Sequence, residues 1–439
     1  MASMLRALRS RNYRLFFGGQ GFSLVGTWLT IVATSWLVYR IAQRDNPDQA
    51  AAVLGITGFA SQIPILFIGP FGGVLADRWD ERRLLLCTQA LAAIQSGILA
   101  WLSLTGQVTI PYILVLSVFQ GIVNAFDMPA RQKLVVSMIE DRDDLPNAIA
   151  LNSSMFNAAR LLGPAMAGMI IAKFGVEYCF LFDAFSYLAV IAALLAMTLP
   201  KVERKDSGHS VVAELKHGLS YAAGFQPVRV ALIMTAFVSL TAMAVQVLVP
   251  IFAGRLSAEL TSTVVGTGED RGATIFGFLT AASGSGALLG GMYLASRKSI
   301  RGLGKVISLA TIVLGTGIIS FGLSQHLVPS LLGMFAMGFG MVLLFASLNT
   351  VLQTIVEDDK RGRVMSLFGI AIMGIAPFGN LFGGMLATHI GESRTALVSG
   401  GLTIAAGVLF FLRLPALRKF VRPIYRSKGI IGGDLEEET

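Results

Sequence analysis

The sequence predicts an all-α membrane protein with twelve transmembrane helices in two pseudo-symmetric six-helix bundles. Three observations predict it. Hydrophobic residues fill 54% of the 439 positions and charged ones only 14%, with a mean hydropathy of +0.69, outside the range of ordinary soluble domains. Apolar runs long enough to cross about 30 Å of hydrocarbon recur from end to end. The second half also repeats the first at a nearly constant offset.

Leu15 to Tyr39 and Gln49 to Ala76 supply the first two spans, and Leu84 to Phe126 is long enough for two, broken at Thr105-Gly106-Gln107 and Pro111. Asn147 to Ala172 carries one charge, Arg160, and Cys179 to Leu199 carries one, Asp183; both read as spans. After a polar stretch from Lys201 to Arg229, Val230 to Gly254 and Gly272 to Ser296 give two more. Val306 to Val356 holds two, broken near Gln325 and Pro329, and Val364 to Gly391 and Thr395 to Leu412 complete the set. The expected units are a bundle over 1–200, a linker over 201–228, a bundle over 229–415 and a tail over 416–439. In the linker, Val212, Leu215, Leu219 and Ala222 fall on one helical face, the pattern of a short amphipathic helix.

The repeat is explicit. At an offset of 219, Gly58, Phe59, Gly72, Leu75, Ala76, Arg78 and Arg82 meet Gly277, Phe278, Gly291, Leu294, Ala295, Arg297 and Arg301. Near the fifth span the offset is 216, where Gly163 and Gly168 meet Gly379 and Gly384. Two halves of equal topology joined by a linker form a parallel repeat about an axis along the membrane normal.

The net charge of +9 invites a nucleic-acid reading, but location argues against it. With the N-terminus inside, all but six of the 35 Lys and Arg (Arg40, Arg44, Lys173, Arg255, Arg271 and Arg394) fall on the cytoplasmic side or at Arg160. This positive-inside pattern places both termini in the cytoplasm of a bacterial-type inner membrane. The apolar run after Arg14 exceeds a signal h-region of about 7–15 residues, so it reads as a span. Cys87 and Cys179 lie in spans and read as small hydrophobes. The four His show no metal-ligand spacing and no phosphate loop is present, so neither a metal, a cofactor nor an ATPase or other enzyme activity is expected.

Six charged residues occupy the seven positions 77–83, directly after the uncharged second span. Gly73-x-Leu75-Ala76-Asp77-Arg78, followed by Arg82 and Arg83, resembles the signature of the major facilitator superfamily between the second and third helices. The resemblance covers essentially the whole chain. Asp80 and Glu81 depart from the pattern, and Ser296 replaces Asp77 in the second half. Gly163-Pro164-Ala165-Met166-Ala167-Gly168 resembles the GPxxGG end of an exporter motif, with Ala167 in place of one glycine. The stretches FDMPARQKL, LPNAIALNSSMFNAARLLGPAMAG and SLVGTWLTIVATSWLVY resemble more narrowly the branch of enterobactin exporters and macrolide efflux pumps.

The resemblance implies the major facilitator fold and a gate at the cytoplasmic face. In it Asp77 contacts the N-terminal end of the eleventh helix near Arg363, where the helix dipole favours an anion, and Asp127 at the end of the fourth helix joins the network. Pro164 and the flanking glycines would kink the fifth helix and let it pack closely on a partner. Where drug antiporters carry an Arg in the fourth helix this chain has Ser117, so Arg160 becomes the candidate intramembrane cation and Asp183 the candidate proton carrier. If the first, fourth, seventh and tenth helices line a cavity, its polar groups are Gln20, Thr27, Trp28, Thr30, Thr34, Gln120, Asn124, Gln246 and Asn349. Such a lining suits a large, weakly polar organic substrate.

The leading reading is therefore a monomeric, proton-coupled exporter of a hydrophobic or amphipathic compound, with the bilayer and that compound as its partners. An importer or facilitator of a small nutrient on the same fold stays open. A non-transporting sensor and a channel are disfavoured by the lack of a sizeable soluble domain and of a selectivity-filter sequence.

Overall fold

The computed structural model describes residues 6–139, 141–198, 211–259, 271–297 and 299–430. The side chains of Pro70, Val74, Ala76, Asp77, Arg78, Arg142, 211–216 and Glu259 lie outside that description. Twelve helical segments have the length and apolarity to cross a membrane. In the first half these are α1 (Arg11–Asp45), α2 (Ala50–Arg78), α3 (Glu81–Leu104), α4 (Ile110–Ser137), α5 (Leu145–Phe174) and α6 (Val176–Ala196). The linker forms α7 (Val211–Gly224). In the second half, α8 (Gln226–Gln246) and α9 (Val249–Glu259) together make the seventh span, followed by α10 (Arg271–Ser296), α11 (Leu303–Leu323) and α12 (Leu327–Ile355). The eleventh span is α13 (Asp358–Gly369), a π-turn (Ile370–Gly374) and α14 (Ala376–Ile390); α15 (Glu392–Ser427) is the twelfth.

The two halves pack by one plan. In the first, α2 lies on α4, α3 on α4 and α6, and α1 on α5 and α6; in the second, α10 lies on α12, α11 on α12 and α15, and α8 on α14 and α15. Even the breaks repeat. Gly175 (φ +106°) separates α5 from α6, and Gly391 (φ +86°) separates α14 from α15 at the offset of 216. A residue with a Cβ is strained at such a positive φ, so glycine ends one helix and starts the next without a loop. Between the halves, α2 packs on α14 and α5 on α10.

Local detail adds to the sequence reading. Asp80, which departs from the family pattern, is the N-cap of α3, its carboxylate accepting the Arg83 backbone N–H at 2.9 Å, so it serves the helix start. Helix α4 continues through Pro129 to Ser137, which puts Asp127 well inside the helix and not at its end. In α7, Leu219 is 63% exposed and Ala222 is buried, while the side chains of Val212 and Leu215 lie outside the described residues.

With twelve spans both termini lie on one membrane face, called here the termini face. There α7 packs on α13, with Gly218 against the Arg363 side chain and Lys360 5.0 Å above the Tyr221 ring. Helix α15 runs on past the apolar stretch, and its end is fastened to the bundle: the Lys428 ammonium donates to the Thr354 carbonyl (2.8 Å), and Arg301 donates to the Ile430 carbonyl (2.9 and 2.7 Å).

Candidate functional site

The site is built on two seams where the bundles meet through glycine. On the first, a Cβ at Gly168 of α5 would stand 2.7 Å from the Ala273 carbonyl oxygen and 3.0 Å from Thr274 Cα, both of α10. Gly277 of α10 lies against the Pro164 carbonyl, and the Thr274 hydroxyl reaches the Gly168 carbonyl at 3.4 Å. Pro164 has no N–H to give the carbonyl of Arg160 one turn back. That carbonyl lies beside Gly284, whose Cβ would approach it to 2.8 Å. On the second seam, a Cβ at Gly55 of α2 would stand 2.7 Å from the Asn380 carbonyl oxygen and 2.9 Å from Gly384 Cα, and one at Gly384 would stand 2.5 Å from the Ala51 carbonyl oxygen. A Cβ at Gly58 would stand 3.0 Å from Asn380 Nδ2, and Phe59 meets Phe378 edge-on at 5.6 Å.

These contacts share a depth. Helix α2 starts, and α5 ends, at the face opposite the termini, so residues 51–59 and 160–168 occupy the far half or the middle of the bilayer. Trp36 stacked on Phe276 at 6.4 Å, with Gly272 beneath its ring, extends the closure there. The bundles thus meet closely in the far half of the bilayer.

At the termini face the expected gate residues are distributed differently. The side chains of Asp77 and Arg78 lie outside the described residues. A Cβ at Gly73 would meet open space; the glycine that brings α2 onto α4 is its neighbour Gly72, which faces the Ala125 carbonyl. Arg82 donates to the Leu195 carbonyl at the end of α6 (2.8 Å), and the Arg83 side chain is exposed. Arg363 faces the linker helix. Asp127 is buried in the first bundle, accepting from Thr88 (2.8 Å) and Gln89 (2.7 Å) of α3 and paired with Arg131 one turn on. It holds α3 to α4 and does not reach toward α13 in this arrangement.

The fifth-helix motif splits its two glycines between two partners. Gly163 faces Trp28 of α1 inside its own bundle, where an added Cβ would stand 2.5 Å from the Trp28 Cβ, whereas Gly168 faces α10.

Arg160 and Asp183 are not brought together. Asp183 is 1% exposed and accepts from Thr30 of α1 (2.9 Å) and Ser96 of α3 (2.7 Å), with its Oδ1 unpartnered against Gly26. Arg160 is half-buried on α5 beside the α10 seam and has no ion pair or hydrogen bond among the described residues. An extended guanidinium without a partner at this depth is costly unless it faces water or a ligand.

Of the expected lining residues, Thr30 is half-buried and donates its hydroxyl to Asp183. Gln20 is 2% exposed, and Thr27 bonds the Ser23 carbonyl on its own helix. Trp28 meets Phe156 edge-on at 6.4 Å. Thr34 and Gln246 are half-buried, the latter at the break between α8 and α9. Gln120 donates to Asn124 (3.2 Å), and Gln353 donates to Asn349 (2.6 Å). Asn349 lines a cavity of about 470 Å³ with Thr350, Gln353, Thr354 and Arg361. Sequence reasoning missed Gly55, Asn380 and Gly72 as contact residues, although the 216 offset pairs Pro164 with Asn380.

Comparison with known proteins agrees with this architecture. The family described as transmembrane secretion effector matches residues 2–423. The staphyloferrin A transporter of Staphylococcus aureus (strain NCTC 8325 / PS 47) is 24% identical over 405 residues, 91% of this chain and 95% of that protein. The multidrug efflux pump Tap of Mycolicibacterium fortuitum is 25% identical (90% and 93% covered), and macrolide efflux protein A of Streptococcus pyogenes is 20% identical (91% and 96% covered). Among solved structures, a D-xylose–proton symporter superposes with a TM-score of 0.68 at 15% identity, covering 91% of this chain and 96% of that one. A match of the family over nearly the whole chain, on two repeated six-helix bundles meeting at glycine seams, settles the assignment: the chain belongs to the transmembrane secretion effector family of major facilitator transporters.

Proposed function

We propose that the protein exports a hydrophobic or amphipathic organic compound, drug-like or siderophore-like, by alternating access driven by a proton gradient. Both termini would face the cytoplasm of a bacterial-type inner membrane, and the protein would work as a monomer. The observation that carries the substrate class is the polarity of the expected lining: Gln120, Asn124 and Gln246 supply neutral polar groups, Asn349 sits with Thr350, Gln353, Thr354 and Arg361, and Arg160 is the cation in mid-span. Such a surface holds a large ligand by burial and a few hydrogen bonds, and pays poorly for a sugar phosphate. The macrolide, multidrug and siderophore transporters among its relatives support the same class and lean toward export.

Opening and closing would turn on the far-face seams and on the charged loop after α2, with Gly73, Asp77, Arg78, Arg82, Arg83 and Arg363 meeting when the termini face closes. Arg160 would face the substrate path, and Asp183 would carry the coupling proton.

A susceptibility screen of cells lacking and overexpressing the protein identifies the compound. Everted vesicles then test the mechanism. Substrate should accumulate in them when an inside-acid gradient is imposed, and the gradient's collapse should abolish it. Gradient-driven uptake into intact cells, without efflux from preloaded ones, would make the protein an importer.

A further inference from the structure

A second cavity, of about 500 Å³, lies entirely within the second bundle at the termini face, away from both seams. Its rim carries four cations, Arg301, Lys305, Arg418 and Arg422, and no acidic residue lines it among the described residues. Arg301 is engaged with the Ile430 carbonyl. The side chains of Lys305, Arg418 and Arg422 have no ion pair or hydrogen bond among the described residues.

A helix start reinforces the cations. Gly302 and Leu303, the N-cap and first residue of α11, also line the cavity, and no side chain caps this 21-residue helix. The positive end of α11 therefore opens on the same space as three unpaired cations. The floor is the opposite in character: Ile307, Leu348, Leu414 and Leu417 are all buried and apolar. On the outer surfaces of the same two helices, Leu309 of α11 and Leu412 of α15 are more than half exposed, the mark of a lipid-facing surface. Positive rim, apolar floor and lipid-facing flanks together describe a ligand with an anionic head and a hydrocarbon body.

We propose that this cavity binds an anionic phospholipid of the leaflet on the termini face. Its phosphate sits between Lys305, Arg418, Arg422 and the start of α11, and one acyl chain runs over the Ile307–Leu414 floor. Occupancy fastens the end of α15 to the start of α11. A polybasic surface alone attracts anionic lipid weakly and without a fixed position; the recess and the uncapped helix make this one a site.

Native mass spectrometry of the detergent-purified full chain tests it, with dioleoyl phosphatidylglycerol and dioleoyl phosphatidylcholine added at equal concentrations. The wild type should retain phosphatidylglycerol in preference to phosphatidylcholine by about tenfold, with one molecule dominating the bound population. Lys305→Gln/Arg418→Gln/Arg422→Gln should lose that preference, whereas Lys305→Arg/Arg418→Lys/Arg422→Lys should keep it and show that the fold tolerates changes there. Glycerol 3-phosphate at millimolar concentration should not displace the lipid. Equal retention of the two lipids, an unchanged preference in the glutamine variant, or displacement by glycerol 3-phosphate would each overturn the proposal, the last by making the cavity a site for a soluble organophosphate.

Discussion

The two seams between the bundles occupy equivalent places under the internal repeat, yet they are built differently. Gly168 of α5 and Gly384 of α14 correspond, and each meets a glycine of the other bundle, Gly277 and Gly55. The residue four before each is Pro164 in one and Asn380 in the other. In α5 the proline lies inside a continuous helix and frees one carbonyl at the seam. In the eleventh span the backbone widens into a π-turn at Ile370–Gly374 before Pro377, and the Ile372 carbonyl accepts from Ser239 of α8 at 2.7 Å. Both solutions loosen the helix hydrogen-bond ladder next to a glycine contact, one by omitting a donor and one by shifting register. Close approach is thus common to the two seams, while the way each helix bends is particular to one.

The largest expected effect breaks both seams alike. Gly168→Leu and Gly384→Leu each drive a side chain into backbone that cannot yield, so transport in proteoliposomes should fall to background for both. Overpacking of about 1–3 kcal/mol corresponds to roughly a 5- to 150-fold shift in the closing equilibrium. Normal transport by one variant and none by the other would show that a single seam carries the closure.

The same comparison shows what was legible in the sequence. The twelve spans, their breaks and the twofold repeat follow from runs and offsets, because hydrocarbon thickness fixes helix length and duplication preserves glycines. Asp80 as a helix cap was not legible, since a cap is recognised only when the helix start is known. Gly72 and Gly73 are indistinguishable as letters; which one touches α4 depends on helix rotation. The π-turn has no composition of its own, and the partners of Asp183 come from helices α1 and α3, far away in sequence.

The next effect sharpens the contrast between bundles. Where Asp183 accepts from Thr30 at the α1–α6 crossing, the equivalent α8–α15 crossing has a neutral Thr241–Thr403 pair at 2.8 Å. Asp183→Asn should abolish proton-driven export yet permit downhill exchange, and Arg160→Ala should abolish active export. Thr241→Val should cost no more than about 1 kcal/mol of stability and leave coupling intact. Full pH-gradient-driven export by Asp183→Asn would remove this carboxylate as the coupling group.

A smaller shift should come from the charged loop. Asp77→Asn keeps side-chain volume and should bias the population toward the arrangement open at the termini face, lowering transport severely without loss of expression. An unchanged distance distribution with normal transport would reduce the loop to a topology signal. Pro164→Ala should be milder, since it restores a donor to the Arg160 carbonyl while leaving Gly168 on Gly277; export reduced a fewfold and measured by initial rate is the expected outcome.

The central claim is that the far-face seams open when the termini face closes. Spin labels at Asp48 and His389, and in a second protein at Trp79 and Asp359, report the two faces after Cys87 and Cys179 are replaced by serine; all four labelled positions are exposed. Double electron–electron resonance in proteoliposomes, with substrate and a pH gradient, should show the Asp48–His389 distance lengthen as the Trp79–Asp359 distance shortens. A far-face distance that stays fixed while substrate is transported would contradict the account.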